Sequence, residues 1–181
     1  LDGRALHYVL ERSGVKCEGY TVERRHYAQY GRWKVSAQYD SFFVDGHKLS
    51  DYKRTSTYAF KKDPKTGNYE VKKEWYAQLN IQADILRRDI GADIRYLEIV
   101  GLLRDWQPSK ATSDPLYPQS QIVIMEIPMG DPVKLEKYII GRCELHQASM
   151  DAKFDDSIPE CSKEERWEED EKLAVMKKGL K

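Results

Sequence analysis

Two aspartates and a lysine, Asp40, Asp51 and Lys53, stand where a short hairpin would bring them together. The segment that carries them, Trp33 to Ser56, reads WKVSAQYDSFFVDGHKLSDYKRTS and has Asp45-Gly46 at its middle. An Asp-Gly pair between alternating strand-like runs predicts a two-residue hairpin turn. With Asp45 and Gly46 as the loop, Val44 faces His47 and Asp40 faces Asp51. Lys53 then faces Gln38 on the side that carries the aspartates, because side chains alternate along a strand. Directly opposed Cβ atoms lie roughly 4.5–5.5 Å apart, a destabilising separation for two like charges. Such a pair calls for a cation between its members, and a divalent metal meets that need better than the neighbouring lysine alone.

The same alternation gives the ribbon two faces. Trp33, Val35, Ala37, Tyr39 and Phe43, joined by Tyr52, form a core face. Lys34, Ser36, Gln38, Asp40, Asp51 and Lys53 form a polar one, poorly suited to burial unless it acts on something. A solvated outer face with an incidental salt bridge is the plain alternative.

The remaining elements follow from periodicity and punctuation. Asp2 to Glu11 reads as a short helix with Asp2 as N-cap, and His7 and Glu11 share one of its faces. Tyr20 to Tyr30 is strand-like. Asp63 to Asn68 is a turn-rich loop, and Lys72 to Asp89 an amphipathic helix with Trp75, Leu79, Gln82 and Leu86 on one stripe and Gly91 at its end. Ile94 to Leu103 and Gln121 to Ile127 are buried strand candidates. The proline-bearing stretch from Arg104 to Ser120 reads as a loop, and Pro132 to Asp151 as a last helix. The order is helix, three strands, helix, one or two strands, helix, an α/β arrangement.

With 181 residues the chain suits one domain, 1–181, whose residues 152–181 form a charged C-terminal extension. It opens at Leu1 rather than methionine, so a fragment of a longer protein is expected. No apolar run is long enough to span a bilayer, which argues against a membrane partner. Three separated cysteines, Cys17, Cys143 and Cys161, fit a reducing cytoplasm better than a disulfide framework. Net charge is zero, yet the charges are segregated. Eight Lys/Arg oppose three Asp/Glu from Lys48 to Lys73, and eleven Asp/Glu oppose three Lys/Arg from Glu144 to Glu171. A basic segment next to the Asp/Asp/Lys face would grip phosphates locally.

That element order, with an acid on one strand and Asp-x-Lys on the next, resembles the PD-(D/E)xK nuclease superfamily, and more narrowly its RecB-type branch of helicase-associated, phage and CRISPR-associated exonucleases. Gly3-Arg4-Ala5-Leu6-His7 resembles the branch's opening Gly-x-x-x-His helix. Asp40 with Asp51-Tyr52-Lys53 matches the central acid and the Asp-Tyr-Lys strand. Gln78 matches the first residue of Gln-x-x-x-Tyr, with Gln82 where tyrosine is expected. The resemblance covers about Gly3 to Leu103. It implies a restriction-endonuclease-like core (αβββαβ), a central mixed sheet flanked by helices, and a deoxyribonuclease, in particular an exonuclease on DNA ends or single strands in recombination or repair. It further implies Mg²⁺ or Mn²⁺ held by His7, Asp40, Asp51 and the Tyr52 carbonyl, with Asp40, Asp51, Lys53 and Gln78 as catalytic or substrate-contacting residues. Those are hard oxygen ligands plus one imidazole. Lys53 would orient the attacking water, stabilise charge at the phosphate or act as general base. The resemblance also implies a cytoplasmic setting in a bacterial or phage-infected cell, and homo-oligomeric, helicase or recombination partners. Some relatives bind an iron–sulfur cluster through four cysteines. Three, with no CxxC pair, are too few to close one, so none is expected and Cys161 reads as an ordinary thiol.

Other residues carry weaker signals. Glu11 would hold a second metal or a ligating water, or is a surface glutamate. His26, His47 and His146 lack ligand spacing and read as structural or exposed. Ser36, Ser41 and Ser50 lack a nucleophile elbow. Tyr58, Phe60, Trp75 and Tyr76 lie near the basic stretch and would stack on single-stranded bases, or, for Trp75 and Tyr76, belong to the helix core. No glycine-rich phosphate loop is present. Beside the nuclease stand a nucleic-acid-binding or assembly module that keeps the fold without cutting, and a metal-dependent hydrolase of another phosphoester.

Overall fold

The computed structural model describes Tyr8, Arg12, residues 18–163 and residues 165–166. His7, Glu11, Cys17 and most of the C-terminal extension lie outside the described residues. The chain divides into two compact units, residues 1–140 and 141–181.

The first unit is an α/β layer. Its strands are β1 (Tyr20–Val22), β2 (Arg25–Tyr30), β3 (Trp33–Gln38), β4 (Ser41–Phe43) and β5 (Lys48–Thr55), followed by helix α1 (Lys73–Ile90), β6 (Tyr96–Leu103), the short helix α2 (Pro108–Ser113) and β7 (Ile122–Ile127). Helix α3 (Pro132–Asp151) spans the division at residue 140, and among the described residues a 3₁₀ turn (Asp155–Ser157) follows it. Five strands pair in the order β1-β4-β5-β6-β7, while β2 and β3 pair only with each other. Only the β5–β6 pair is parallel, so the sheet is mixed. A parallel neighbour needs a crossover, which α1 supplies.

Helix α1 forms because its apolar positions recur at helical spacing. Trp75, Leu79, Ala83 and Leu86 are buried on one stripe against Leu49, Leu97, Ile99 and Met125 of the sheet. Each large apolar side chain so buried contributes about 1.5–3 kcal/mol. Gly91 ends the helix in the left-handed region (φ 65), its N–H donating to the Arg87 carbonyl at 3.0 Å, with Arg87 and Arg88 in the last turn.

The β4–β5 hairpin keeps the expected register over three pairs, Ser41 with Ser50, Phe42 with Leu49 and Phe43 with Lys48. It ends there, so Asp40 precedes the strand and is not the paired partner of Asp51 that was expected. The turn Val44–His47 closes through the His47 N–H and the Val44 carbonyl at 3.1 Å. It is not the mirror-image type, because the positive φ falls on His47 (53°) and not on Asp45 or Gly46. Gly46 is needed for space, since a Cβ there would overlap the Phe43 ring.

Two expected strands are each broken, and for a shared reason. Tyr20 to Tyr30 splits at Glu23, which sits in the left-handed region (φ 49). Trp33 to Val44 splits at Tyr39–Asp40, where the period of two fails because Tyr39, Ser41 and Phe42 are all buried. The chain leaves the five-stranded sheet at the first break and returns at the second. The breaks are pinned together by the Glu23 N–H on the Asp40 carbonyl (3.2 Å) and the Gln38 amide on the Glu23 carboxylate (2.6 Å). Among the described residues five strands therefore precede α1 where three were expected. Gln38 pairs with Arg25, and Lys53 pairs with Gly101 rather than with Gln38. Lys34, Ser36 and Gln38 accordingly lie on a different sheet from Asp51 and Lys53. Phe42 enters the core, and Phe43 stacks on Tyr20 with ring centroids 4.6 Å apart. The stretch from Arg104 to Ser120 is a loop that holds the six-residue helix α2.

Candidate functional site

Alternation along β5 turns Leu49, Asp51 and Lys53 towards α1. Asp51 is 1% exposed and Lys53 is 27% exposed at the side chain. From α1, Gln78 meets both. Its Nε2 donates to Asp51 Oδ1 at 2.6 Å, and its Oε1 accepts from Lys53 Nζ at 3.1 Å. Lys53 Nζ closes the ring on Asp51 Oδ2 at 2.7 Å. A carboxylate only accepts and an ammonium only donates, so the amide is the group that can join them, oxygen to one and nitrogen to the other.

Asp40 comes to the same strand from its other neighbour. It sits just before β4, and its Oδ2 accepts from the Tyr52 backbone N–H at 2.7 Å. A strand residue points its N–H and C=O to the same side. The Tyr52 carbonyl therefore lies on the edge of β5 that meets Asp40, beyond the last β4 pair at Ser41 and Ser50. The Tyr52 phenol belongs to the opposite face of the sheet, where burial raises its pKa against the lowering effect of Ser41. Asp40, Asp51, the Tyr52 carbonyl, Lys53 and Gln78 thus converge on β5, and His7 lies outside the described residues.

Asp40, Asp51 and the Tyr52 carbonyl are a hard-oxygen donor set that fits Mg²⁺ or Mn²⁺, ions that leave several positions to water and phosphate. Among the described residues no group of three or more His, Cys, Asp or Glu side chains is placed to hold a metal ion. An almost fully buried carboxylate needs a positive partner, and here a partly exposed lysine supplies it.

The helix contributes a residue whose role is not evident from the sequence. Gln82, one turn after Gln78, donates through Nε2 to the Gln38 carbonyl at 2.9 Å. It holds the chain two residues before Asp40, where the branch resemblance leads one to expect tyrosine. The i, i+4 spacing from Gln78 is the signal that could have found it.

The other candidates separate cleanly. His26 Nδ1 bonds Asp89 at 2.7 Å, His47 Nδ1 bonds the Asp93 carbonyl at 3.0 Å, and His146 is exposed. Ser36 accepts from Arg25, while Ser41 and Ser50 are buried. Of the aromatics beside the basic segment, Phe60 and Trp75 are core residues and Tyr76 packs against the core. Tyr58, in the 3₁₀ turn that follows β5, is 83% exposed. Cys143 and Cys161 are free thiols. No helix among the described residues is long and apolar enough to cross a membrane.

No family model and no curated protein matches the chain. Among solved structures, the crystal structure of SSO0001 aligns with 79% of this chain at 16% identity and a TM-score of 0.49. This chain spans 59% of that one.

Proposed function

We propose that this chain is a divalent-metal-dependent nuclease that hydrolyses DNA phosphodiester bonds at ends or in single strands, on a restriction-endonuclease-like core. In that reading β1, β4 and β5 are the three-stranded meander of the αβββαβ plan, α1 is its crossover and β6 the parallel strand. The β2–β3 ribbon is then an insertion between β1 and β4. The observation that carries the proposal is the closed ring of Asp51, Lys53 and Gln78 on the strand whose next peptide is held by Asp40.

Asp40, Asp51 and the Tyr52 carbonyl would hold Mg²⁺ or Mn²⁺, with His7 as a further ligand. The bound ion supplies Lewis-acid charge at the phosphate and a more acidic water. Gln78 fixes the tilt of the Asp51 carboxylate and keeps the Lys53 ammonium at a set distance from it. Lys53, partly exposed, can swing to a phosphate oxygen or to the attacking water while its stem stays in place. Gln82 and the Glu23 N–H hold the backbone on which Asp40 is carried.

One assay tests the reading. Labelled single- and double-stranded DNA is incubated with Mn²⁺ or Mg²⁺ and the wild-type, Asp51→Asn or Lys53→Ala protein. Loss of cleavage in both variants is expected. Cleavage that persists in both refutes the site, and binding without cleavage by the wild type identifies a non-cutting assembly module.

A further inference from the structure

The β2–β3 ribbon carries a face that the proposed site does not use. Its inner face is fastened to α1 by polar side chains. Tyr30 donates to Asp84 at 2.5 Å, Gln82 to the Gln38 carbonyl at 2.9 Å, and Asp89 holds the His26 ring at 2.7 Å. These bonds lie along the length of the ribbon and hold it against α1. Its outer face presents Arg25, Tyr27 and Gln29 from β2 and Lys34, Ser36 and Gln38 from β3, all exposed.

The cations on that face are held in place by uncharged neighbours. Arg25 donates to Ser36 Oγ at 3.0 Å and to Gln38 Oε1 at 3.2 Å, both uncharged acceptors. Lys34 sits 4.8 Å from the centre of the Tyr27 ring, and at the ribbon tip Arg32 sits 4.7 Å from that of Trp33. None of the three forms an ion pair among the described residues. No carboxylate occurs from Arg24 to Tyr39. Glu23, at the ribbon's base, is bonded to Gln38, and Asp89 of α1, which holds His26 and the Tyr27 N–H, is the acid that acts on Lys34 from the inner side. A positive face of fixed side chains with amide and hydroxyl groups between the cations complements phosphates and base edges. It lacks the apolar centre that a protein interface would need.

We propose that this ribbon is a docking arm for duplex DNA, lying in its major groove. A two-stranded ribbon fits that groove, about 12 Å wide in B-form DNA, whereas the major groove of A-form RNA is too narrow. Six residues per strand span about 20 Å, the rise of about six base pairs. The arm deepens the nuclease reading by placing duplex beside the proposed site, but its binding does not depend on cleavage.

The test is fluorescence anisotropy in EDTA with a labelled 20-base-pair DNA duplex, the matching single strand and an RNA duplex of the same sequence. Wild type is compared with Arg25→Ala/Lys34→Ala, with Arg25→Gln/Lys34→Gln, which keeps side chains able to pack on the ribbon, and with Lys110→Ala/Lys134→Ala as a charge-matched control. Both ribbon variants are expected to lose about tenfold or more in DNA-duplex affinity. The slope of log affinity against log salt should flatten by about two, one phosphate contact for each cation removed. Three outcomes overturn the proposal: unchanged duplex affinity in both ribbon variants, an equal loss in the control, or a parallel loss for single strand or RNA. Duplex binding in EDTA is read without cleavage, so failure of the site and failure of the arm read out separately.

Discussion

Asp51 and Gln78 meet at 2.6 Å across the junction of β5 and α1, and this contact ties the sheet to the helix at the point of highest buried charge. Gln78 lies between Trp75 and Leu79, both buried, so the apolar stripe of the helix holds its amide in place. The polar ring is thus positioned by the hydrophobic core, and removing any one member leaves the others poorly matched.

Lys53→Ala should destabilise the protein in EDTA by about 1–3 kcal/mol, because it leaves the Asp51 carboxylate buried without its ammonium. The partial exposure of Lys53 places the effect below that of a fully buried pair. Asp51→Asn/Lys53→Ala should cost less than the sum of the two single changes, since it removes both charges together. Urea unfolding of the four proteins gives the coupling, and strict additivity would show that the pair is energetically idle.

Adding Mn²⁺ should raise the melting temperature of wild type and of Lys53→Ala, and EDTA should reverse it. A ligand at a hundred times its dissociation constant stabilises the native state by about 2.7 kcal/mol. Asp51→Asn should show little of this rise. An equal rise in that variant would place the ion elsewhere.

Gln78→Ala should reduce cleavage by about 10–100-fold while Mn²⁺ still stabilises the protein, the pattern of a residue that orients a ligand and does not itself bind metal. Gln78→Glu should be worse than its shape suggests, because a second carboxylate would face Asp51. Loss of the Mn²⁺ response in Gln78→Ala would instead mark it as a ligand.

The β4–β5 hairpin was legible because Asp45-Gly46 and the flanking apolar residues fix a register locally. Helix α1 was legible because a long periodic run that ends at Gly91 leaves few alternatives, and helix α3 because its run opens on Pro132 and holds good helix formers. The ribbon was not. Its strands alternate just as those of the main sheet do, so nothing in the pattern marks the change of sheet. The switch depends on the left-handed Glu23 and on three buried residues within Tyr39–Phe42, which are tertiary facts. Asp40 still reaches β5, because the chain rejoins the sheet one residue later. The roles of the polar helix residues Asn80, Gln82 and Asp84 were hidden for a related reason, although Gln82 falls on the expected stripe. They are buried polar groups whose partners, the Pro128 and Gln38 carbonyls and Tyr30, are distant in sequence.

Gly101→Ala should destabilise by about 1–3 kcal/mol, the usual effect of overpacking a filled core. Gly101 is the β6 partner of Lys53, and a methyl group there would overlap the Phe60 ring. Phe60 is fully buried against Trp75, with ring centroids 5.3 Å apart, so it has little room to yield. Gly101→Ala/Phe60→Leu should regain part of the loss. A stable single variant by thermal melting would mean that the ring moves freely.

Asp105 makes the acid limb of stability testable at one residue. It follows β6 and takes the Thr57 backbone N–H on Oδ1 at 2.7 Å and the Thr57 hydroxyl on Oδ2 at 3.3 Å, anchoring the turn that follows β5. The Thr57 N–H holds its carboxyl below the ordinary aspartate value of 3.8. A carboxylate with a depressed folded pKa binds fewer protons in the native state than in the unfolded one. Its contribution is therefore fully present above the unfolded value and lost as pH falls through the lower, native one. Wild type should melt higher than Asp105→Asn at about pH 6, and the gap should close between about pH 4 and the depressed value. Asp89 and Asp93 are depressed too, by His26 and Arg95, so both proteins will lose stability in acid and the difference between them is the quantity to read. A gap that stays constant from about pH 6 to pH 2.5 would show that the Thr57 contact does not distinguish the carboxylate from its neutral form.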